Sequence, residues 1–192
     1  MVYLIFFMKT SLVLCALMTA QTCLATIKKG DNLPALAIKT NPQSFYYEPN
    51  GYAQMLTIYP ASLTSSRNGA FNADVIKAGY CPKSIIDIKN RAWYVPQKTA
   101  ESAVNESILA PTHNALCTVS IDHTGKAIKH WQLNKKSTTI IVNGAGKVIF
   151  VEEGVLDQKE RAKVIQLLTK YGKPYSHWPK ATRMQPLKDS TE

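Results

Sequence analysis

The chain contains no Cys-x-x-Cys and no pair of histidines four residues apart. The first absence removes a local redox dithiol and the usual thiolate half of a zinc site. The second removes the helical histidine pair of many metalloenzymes. His113, His123, His130 and His177 are dispersed, and none has an evident partner for activating a serine. No metal and no cofactor is expected. Acidic residues are few: 13 Asp and Glu stand against 23 Lys and Arg, for a formal charge of +10. The basic residues nevertheless form no stripe interleaved with aromatics. They are spread over Lys28/Lys29, Lys135/Lys136, Lys159 to Lys163 and Lys170/Lys173. The footprint of a nucleic-acid binder is therefore missing, and a weak, salt-sensitive attraction to anionic envelope surfaces is the plainer expectation. Internal repeats and low-complexity tracts are absent as well.

Long apolar runs are confined to the N-terminus. Met8-Lys9-Thr10 is a short basic start, residues 11–18 are apolar, and Cys23-Leu24-Ala25 supplies small residues before Thr26. This is the order of a secretory signal peptide, predicted over residues 1–25, with a mature chain of 192 − 25 = 167 residues. The apolar residues 2–7 ahead of Met8 leave Met1 and Met8 as alternative starts, and from Met1 an uncleaved anchor is a minor alternative. Cys23 also raises lipid modification, which the preceding Ala20-Gln21-Thr22 disfavours. About 167 residues suffice for one domain with a real core. Cys15 and Cys23 would leave with the signal, so Cys81 and Cys117 remain. In an oxidising compartment such a pair suggests a disulfide; two buried free thiols are the alternative.

The mature chain reads as strands alternating with helices. Short strands are expected at Leu36–Ile38 and within residues 53–60. A helix is expected from the Ser/Thr-rich residues 61–69 to Gly79, with Pro82 preventing its continuation. Ser84–Ile88 and Leu116–Ile121 read as strands around a helix at 97–110. Asp122-His123-Thr124-Gly125 reads as a turn, with Lys126–Leu133 as its partner strand. The last unit is clearer. Thr138–Val142 and Val148–Val151 flank the turn Asn143-Gly144-Ala145-Gly146. Asp157 and Glu160 are spaced as a capping box before a helix closed by Gly172 and Pro174. This predicts a mixed sheet covered by helices over residues 26–172, then a polar tail at 173–192.

Strand, turn, strand and helix in that order also close many thioredoxin-fold chains. More specifically, 131-WQLNKKSTTIIVNGAGKVIFVEEGVLDQKERAKVIQLL-168 resembles the C-terminal signature of the YtfJ-type family of bacterial periplasmic proteins. Residues 117–133 and 28–38 resemble its preceding segment and its entry segment; 81–116 match poorly. The resemblance implies an α/β thioredoxin-like fold, with a mixed central sheet and helices on both faces, in a periplasmic protein of unassigned activity. In such a fold the reactive Cys-x-x-Cys follows the first core strand at a helix start, where the helix N-terminus stabilises a thiolate. Here that place is 61-ASLTSSR-67, without cysteine. The position of the fold's usual cis-proline corresponds to Ser137.

The resulting expectation is a non-enzymatic, redox-inactive binding module with no catalytic residue. Ser62, Thr64, Ser65, Arg67 and Ser137 are the candidate ligand-binding residues, because backbone donors, hydroxyls and a guanidinium together suit a carboxylate or phosphate. The simpler role for those hydroxyls is to cap the helix. The expected partner is an envelope protein or a small anionic ligand. The alternative is a thiol-disulfide or peroxide-handling oxidoreductase using Cys81 and Cys117. A regulator binding nucleic acid is disfavoured by export.

Overall fold

A computed structural model describes residues 26–40, 44–61, 65–102, 117, 119–174 and 176. The expected signal peptide and nearly all of the polar tail lie outside these residues, as does 103–110 of the expected helix at 97–110. Five strands form the main sheet in the order β5-β4-β3-β6-β7. They are β3 (Gln54–Pro60), β4 (Lys83–Asp87), β5 (Val119–Asp122), β6 (Thr138–Val142) and β7 (Val148–Glu153). β3, β4 and β5 run parallel, whereas β6 is antiparallel to β3 and β7 to β6. The sheet is mixed, as the alternating pattern requires. A separate antiparallel hairpin joins β1 (Leu36–Ile38) to β2 (Phe45–Tyr47). β2 has no counterpart in the sequence reading, in which residues 39–52 carry only turn signals.

All seven residues of β3 and all five of β6 are buried, because layers cover the sheet on both faces. On one face, the β1–β2 hairpin and α3 (Lys126–His130) enclose Leu56, Ile58, Ile85 and Ile140 around Trp131. On the other, α1 (Ser65–Lys77) and α4 (Gln158–Tyr171) pack Phe71, Val75, Val164 and Leu168 against Met55, Ile141 and Phe150. A further helical stretch, α2 (97–102), contributes Ala100 to a third cluster with Ile86, Ile88 and Ile121.

Local chemistry sets the helix ends. Gly79 (φ 92°) donates its N–H to Ile76, and Tyr80 donates to Val75, a Schellman closure in which glycine takes the left-handed position without strain. At α4, Asp157 accepts from the Glu160 N–H while Glu160 accepts from the Asp157 N–H, both at 2.7 Å, so the capping box forms as its spacing predicts.

One expected strand is a helix. Lys126–Leu133 does not pair with β5; residues 126–130 form α3. The Asp122 carboxylate accepts from the backbone N–H groups of Thr124 and Ala127, each at 2.9 Å, which turns the chain into a helix rather than a hairpin. The helix is closed by a Schellman pattern in which Gln132 (φ 52°) takes the left-handed position. Leu133 donates to Ile128 at 2.9 Å, and Gln132 donates to Lys129 at 3.4 Å. The Trp-Gln-Leu run is therefore a C-cap whose outer members, Trp131 and Leu133, are buried.

Trp131 is 1 % exposed, meets Phe45 and Tyr47 edge-on, and donates its indole N–H to the Pro34 carbonyl at 2.9 Å. Trp131→Ala is expected to cost about 3–5 kcal/mol in urea unfolding. Trp131→Phe should cost less, since it keeps one ring and loses the second ring and the bond to Pro34. Equal costs for the two variants would show that ring packing is not the dominant contribution.

Candidate functional site

Parallel strands place their C-terminal ends on one edge of the sheet, where α/β proteins commonly bind ligands. Here that edge carries Pro60, Asp87 and Asp122, the last residues of β3, β4 and β5. Because β6 runs the other way, its first residues lie at the same edge: Ile58 pairs with Thr138, which brings the preceding Ser137 alongside Tyr59. Backbone bonds knit the edge together. The Ala61 N–H donates to Asp87, the Ile88 N–H to Asp122 and the Ala92 N–H to Ala61, at 3.0–3.1 Å.

The predicted ligand residues distribute unevenly over this edge. Ser65 and Arg67 lie in the first turn of α1, directly after the end of β3. Ser62 and Thr64 lie outside the described residues, as do the side chains of Ser65 and Arg67. Ser137 stands at the start of β6 and is buried, its carbonyl accepting from the Gly154 N–H at 2.7 Å. Strand register thus brings Ser137 to the edge from which α1 departs.

Two buried carboxylates at this edge were not singled out from the sequence. Asp87 and Asp122 are neighbours in the β4–β5 register, and both are 0 % exposed. Asp87 accepts from the Asn90 N–H at 2.9 Å and from the Asn90 amide at 2.7 Å. Burial pushes its carboxyl above the usual range, the bonds from Asn90 oppose that, and the neighbouring Asp122 charge adds to it. At Asp122 burial again raises, but bonds from Ala127, Thr124 and Lys126 outweigh it and hold the carboxyl below its usual range. The sequence signal was present, because each apolar strand ends in aspartate: Ile85-Ile86-Asp87 and Ser120-Ile121-Asp122.

Below α1 lies a polar cluster that the apolar strand pattern also concealed. The hydroxyls of Thr57 and Ser84 are 2.7 Å apart, and the Asn72 amide donates to them at 3.4 and 3.1 Å. Burial pushes the nearby Tyr59 phenol up to about 12, against a bond to Ser84 that lowers it.

The cysteines meet at the other end of the sheet. Cys81 and Cys117 form a disulfide, with their Cα atoms 4.8 Å apart. Each lies two residues ahead of its strand, β4 and β5 respectively. Asp87 lies six residue steps along near-extended chain from Cys81, a distance on the order of 20 Å. The bridge therefore clamps the entry ends of two paired strands and is remote from the helix-start edge. Among the described residues no group of three or more His, Cys, Asp or Glu is arranged to hold a metal ion, and no helix is long and apolar enough to cross a membrane.

The carboxylate pair generates a pH prediction. A raised folded-state pKa at Asp87 contributes stability below the ordinary value of 3.8, and that contribution is lost as pH rises through the folded value. Asp122 has the opposite sign: its contribution is present above 3.8 and is lost as pH falls through its lowered folded value. Asp87→Asn removes the first effect and leaves the bonds that Asp122 accepts from Thr124 and Ala127 in place. Thermal melts should show the Tm difference, variant minus wild type, growing from pH 3 to pH 7. A difference independent of pH would refute the raised carboxyl.

Comparison with known proteins supports the same architecture. No curated protein matches the chain. Solved structures do: a protein described as the thiol:disulfide interchange protein DsbE from Chlorobium tepidum aligns with a TM-score of 0.54 and 15 % identity, over 76 % of this chain and 98 % of its own. The exposed lipoprotein thioredoxin Etrx1 of Streptococcus pneumoniae gives 0.52 and 12 %, over 69 % and 98 %. The thioredoxin domain of a thiol-disulfide oxidoreductase from Bacteroides vulgatus gives 0.51 and 11 %, over 73 % and 97 %. At these identities the likeness establishes the fold, which is thioredoxin-like. The model of a bacterial protein family of unknown function, YtfJ_HI0045, matches residues 71–171, from within α1 to the end of α4. Ser62, Thr64, Ser65 and Arg67 precede the match, whereas both cysteines and Ser137 fall inside it. With just over half of its length matched, and with the Trp-Gln-Leu cap and the final strand pair within the match, the chain belongs to the YtfJ_HI0045 family.

Proposed function

We propose that this protein is a redox-inactive thioredoxin-like binding module of the periplasm, exported by a leader cleaved before Thr26. Its ligand surface is the start of α1, where Ser62, Thr64, Ser65 and Arg67 offer hydroxyls, backbone donors and a guanidinium, with Ser137 behind them. The chemistry fits a carboxylate or phosphate, either on a small anion or on an acidic segment of an envelope protein. One observation carries the reading. Cys81 and Cys117, the cysteines expected to remain after cleavage, are bonded to each other at the end of the sheet remote from the helix start. Residues 61–70, which lead into the helix N-terminus that lowers a thiol pKa in active members of the fold, contain no cysteine. The disulfide also fits an oxidising compartment.

A second reading keeps the redox chemistry. The similar structures include proteins described as a thiol:disulfide interchange protein and a thiol-disulfide oxidoreductase, and this chain does hold an oxidised pair. On that reading the Cys81–Cys117 disulfide itself exchanges with a substrate thiol.

The two readings separate in one set of proteins. With the binding module, insulin reduction and thiol oxidation stay at background. Cys81→Ser/Cys117→Ser lowers stability by about 3–4 kcal/mol, as expected for opening a loop of 36 residues. Binding of inorganic phosphate, read by calorimetry, falls at least severalfold in Arg67→Ala and survives in the cysteine variant. Turnover that Cys81→Ser abolishes would establish the second reading. Phosphate binding that is absent, or indifferent to Arg67, would remove the helix-start anion site. Intact mass of the exported protein tests cleavage before Thr26.

A further inference from the structure

The turn from Ala92 to Val95 carries large aromatic side chains where turns ordinarily carry glycine, proline or small polar residues. The Val95 N–H donates to the Ala92 carbonyl at 3.0 Å, so Trp93 and Tyr94 occupy the two central positions. Trp93 is 94 % exposed and Tyr94 is 49 % exposed. Their rings meet edge to face with centroids 5.8 Å apart. The turn is braced from both sides: Arg91 donates from Nε to the Val95 carbonyl at 2.9 Å, and the Ala92 N–H donates to Ala61 at 3.0 Å. Holding an indole almost wholly in water forgoes the free energy of covering it. Two adjacent exposed rings on a braced turn form an apolar tip of the kind found at interaction surfaces.

The charge around the turn narrows the choice of surface. Residues 88–98, IKNRAWYVPQK, contain Lys89, Arg91 and Lys98 and no aspartate or glutamate; of the carboxylates at the borders of this stretch, Asp87 is buried and Glu101 accepts from Gln97 and faces His123. Lys89 and Lys98 are exposed, and Arg91 is partly covered by its bracing bonds. Tryptophan and tyrosine partition to the headgroup level of bilayers, where an apolar ring and a polar edge are both accommodated. Lysines beside them add attraction to anionic lipid within a Debye length. A protein pocket for Trp93 would instead need a matching shape and acidic groups on its rim. A bilayer needs only the aromatic tip and the basic flank, and both are present.

We propose that the Trp93–Tyr94 turn docks this protein on an anionic lipid surface, with both rings at the headgroup level and Lys89 and Lys98 facing lipid phosphates. This goes beyond the binding-module reading and does not depend on it, since neither the cysteines nor the α1 start takes part.

Co-sedimentation of the exported protein with vesicles tests the proposal. In 50 mM salt it should partition onto phosphatidylglycerol/phosphatidylethanolamine vesicles and not onto pure phosphatidylcholine. Trp93→Ala/Tyr94→Ala should weaken partitioning about tenfold or more, with a retained cooperative melt showing that the variant is folded. Lys98→Glu or 0.5 M salt should also weaken it. No partitioning onto the anionic vesicles would overturn the proposal. So would partitioning that the aromatic double variant leaves unchanged, which would assign the binding to net charge alone. Absence of vesicle binding, together with a photo-crosslinker at position 93 that captures an envelope protein in cells, would give the turn to a protein partner instead.

Discussion

The pairing of β3 on both of its edges is the constraint on which the rest of the molecule depends. β3 bonds to β4 in parallel and to β6 in antiparallel register, and all seven of its residues are buried. A strand buried in this way needs cover on both faces of the sheet. The covering layers follow from that need: Trp131 with the hairpin on one side, and Phe71, Val75, Val164 and Leu168 on the other. The two opposite pairings also give the sheet two unlike ends. One collects the C-termini of three strands, two buried carboxylates and the start of α1. The other collects the entry ends of β4 and β5 and the disulfide.

Each layer has its own polar arrangement, and these arrangements differ in how local they are. The Asp122 caps are made within five residues of the carboxylate, so they form with the turn itself. The cluster of Thr57, Asn72 and Ser84 joins two strands and a helix across 27 residues of sequence, and it exists only once the sheet and α1 have docked. Buried polar groups tied in this way favour one packing of helix on sheet over alternatives that would leave them unbonded.

Legibility in the sequence follows the same division. The Asp157–Glu160 box, the Gly79 closure, the apolar runs of β3 and β6 and the final hairpin were readable because each is encoded within a few neighbouring residues. Lys126–Leu133 misled because Asp-x-Thr-Gly serves equally as a hairpin turn and as a helix start; the carboxylate of Asp122 decides between them by accepting from Ala127. The juxtaposition of Asp87 with Asp122 depends on strand order, which no local pattern contains, and Ser137 was placed at the helix-start edge only through the resemblance to the fold. Cys81 and Cys117 were legible as a pair. That their bridge faces away from the α1 start was not, since it follows from the shared direction of β4 and β5.

The disulfide has a topological consequence as well. It closes a covalent ring through residues 81–117, which holds β4, the Ala92–Val95 turn and α2. A single backbone scission anywhere inside that ring leaves one molecule, with β4 and β5 still tied at their base. The segment can therefore be cut without being released, and the nick becomes visible as two polypeptides only after the sulfurs are reduced.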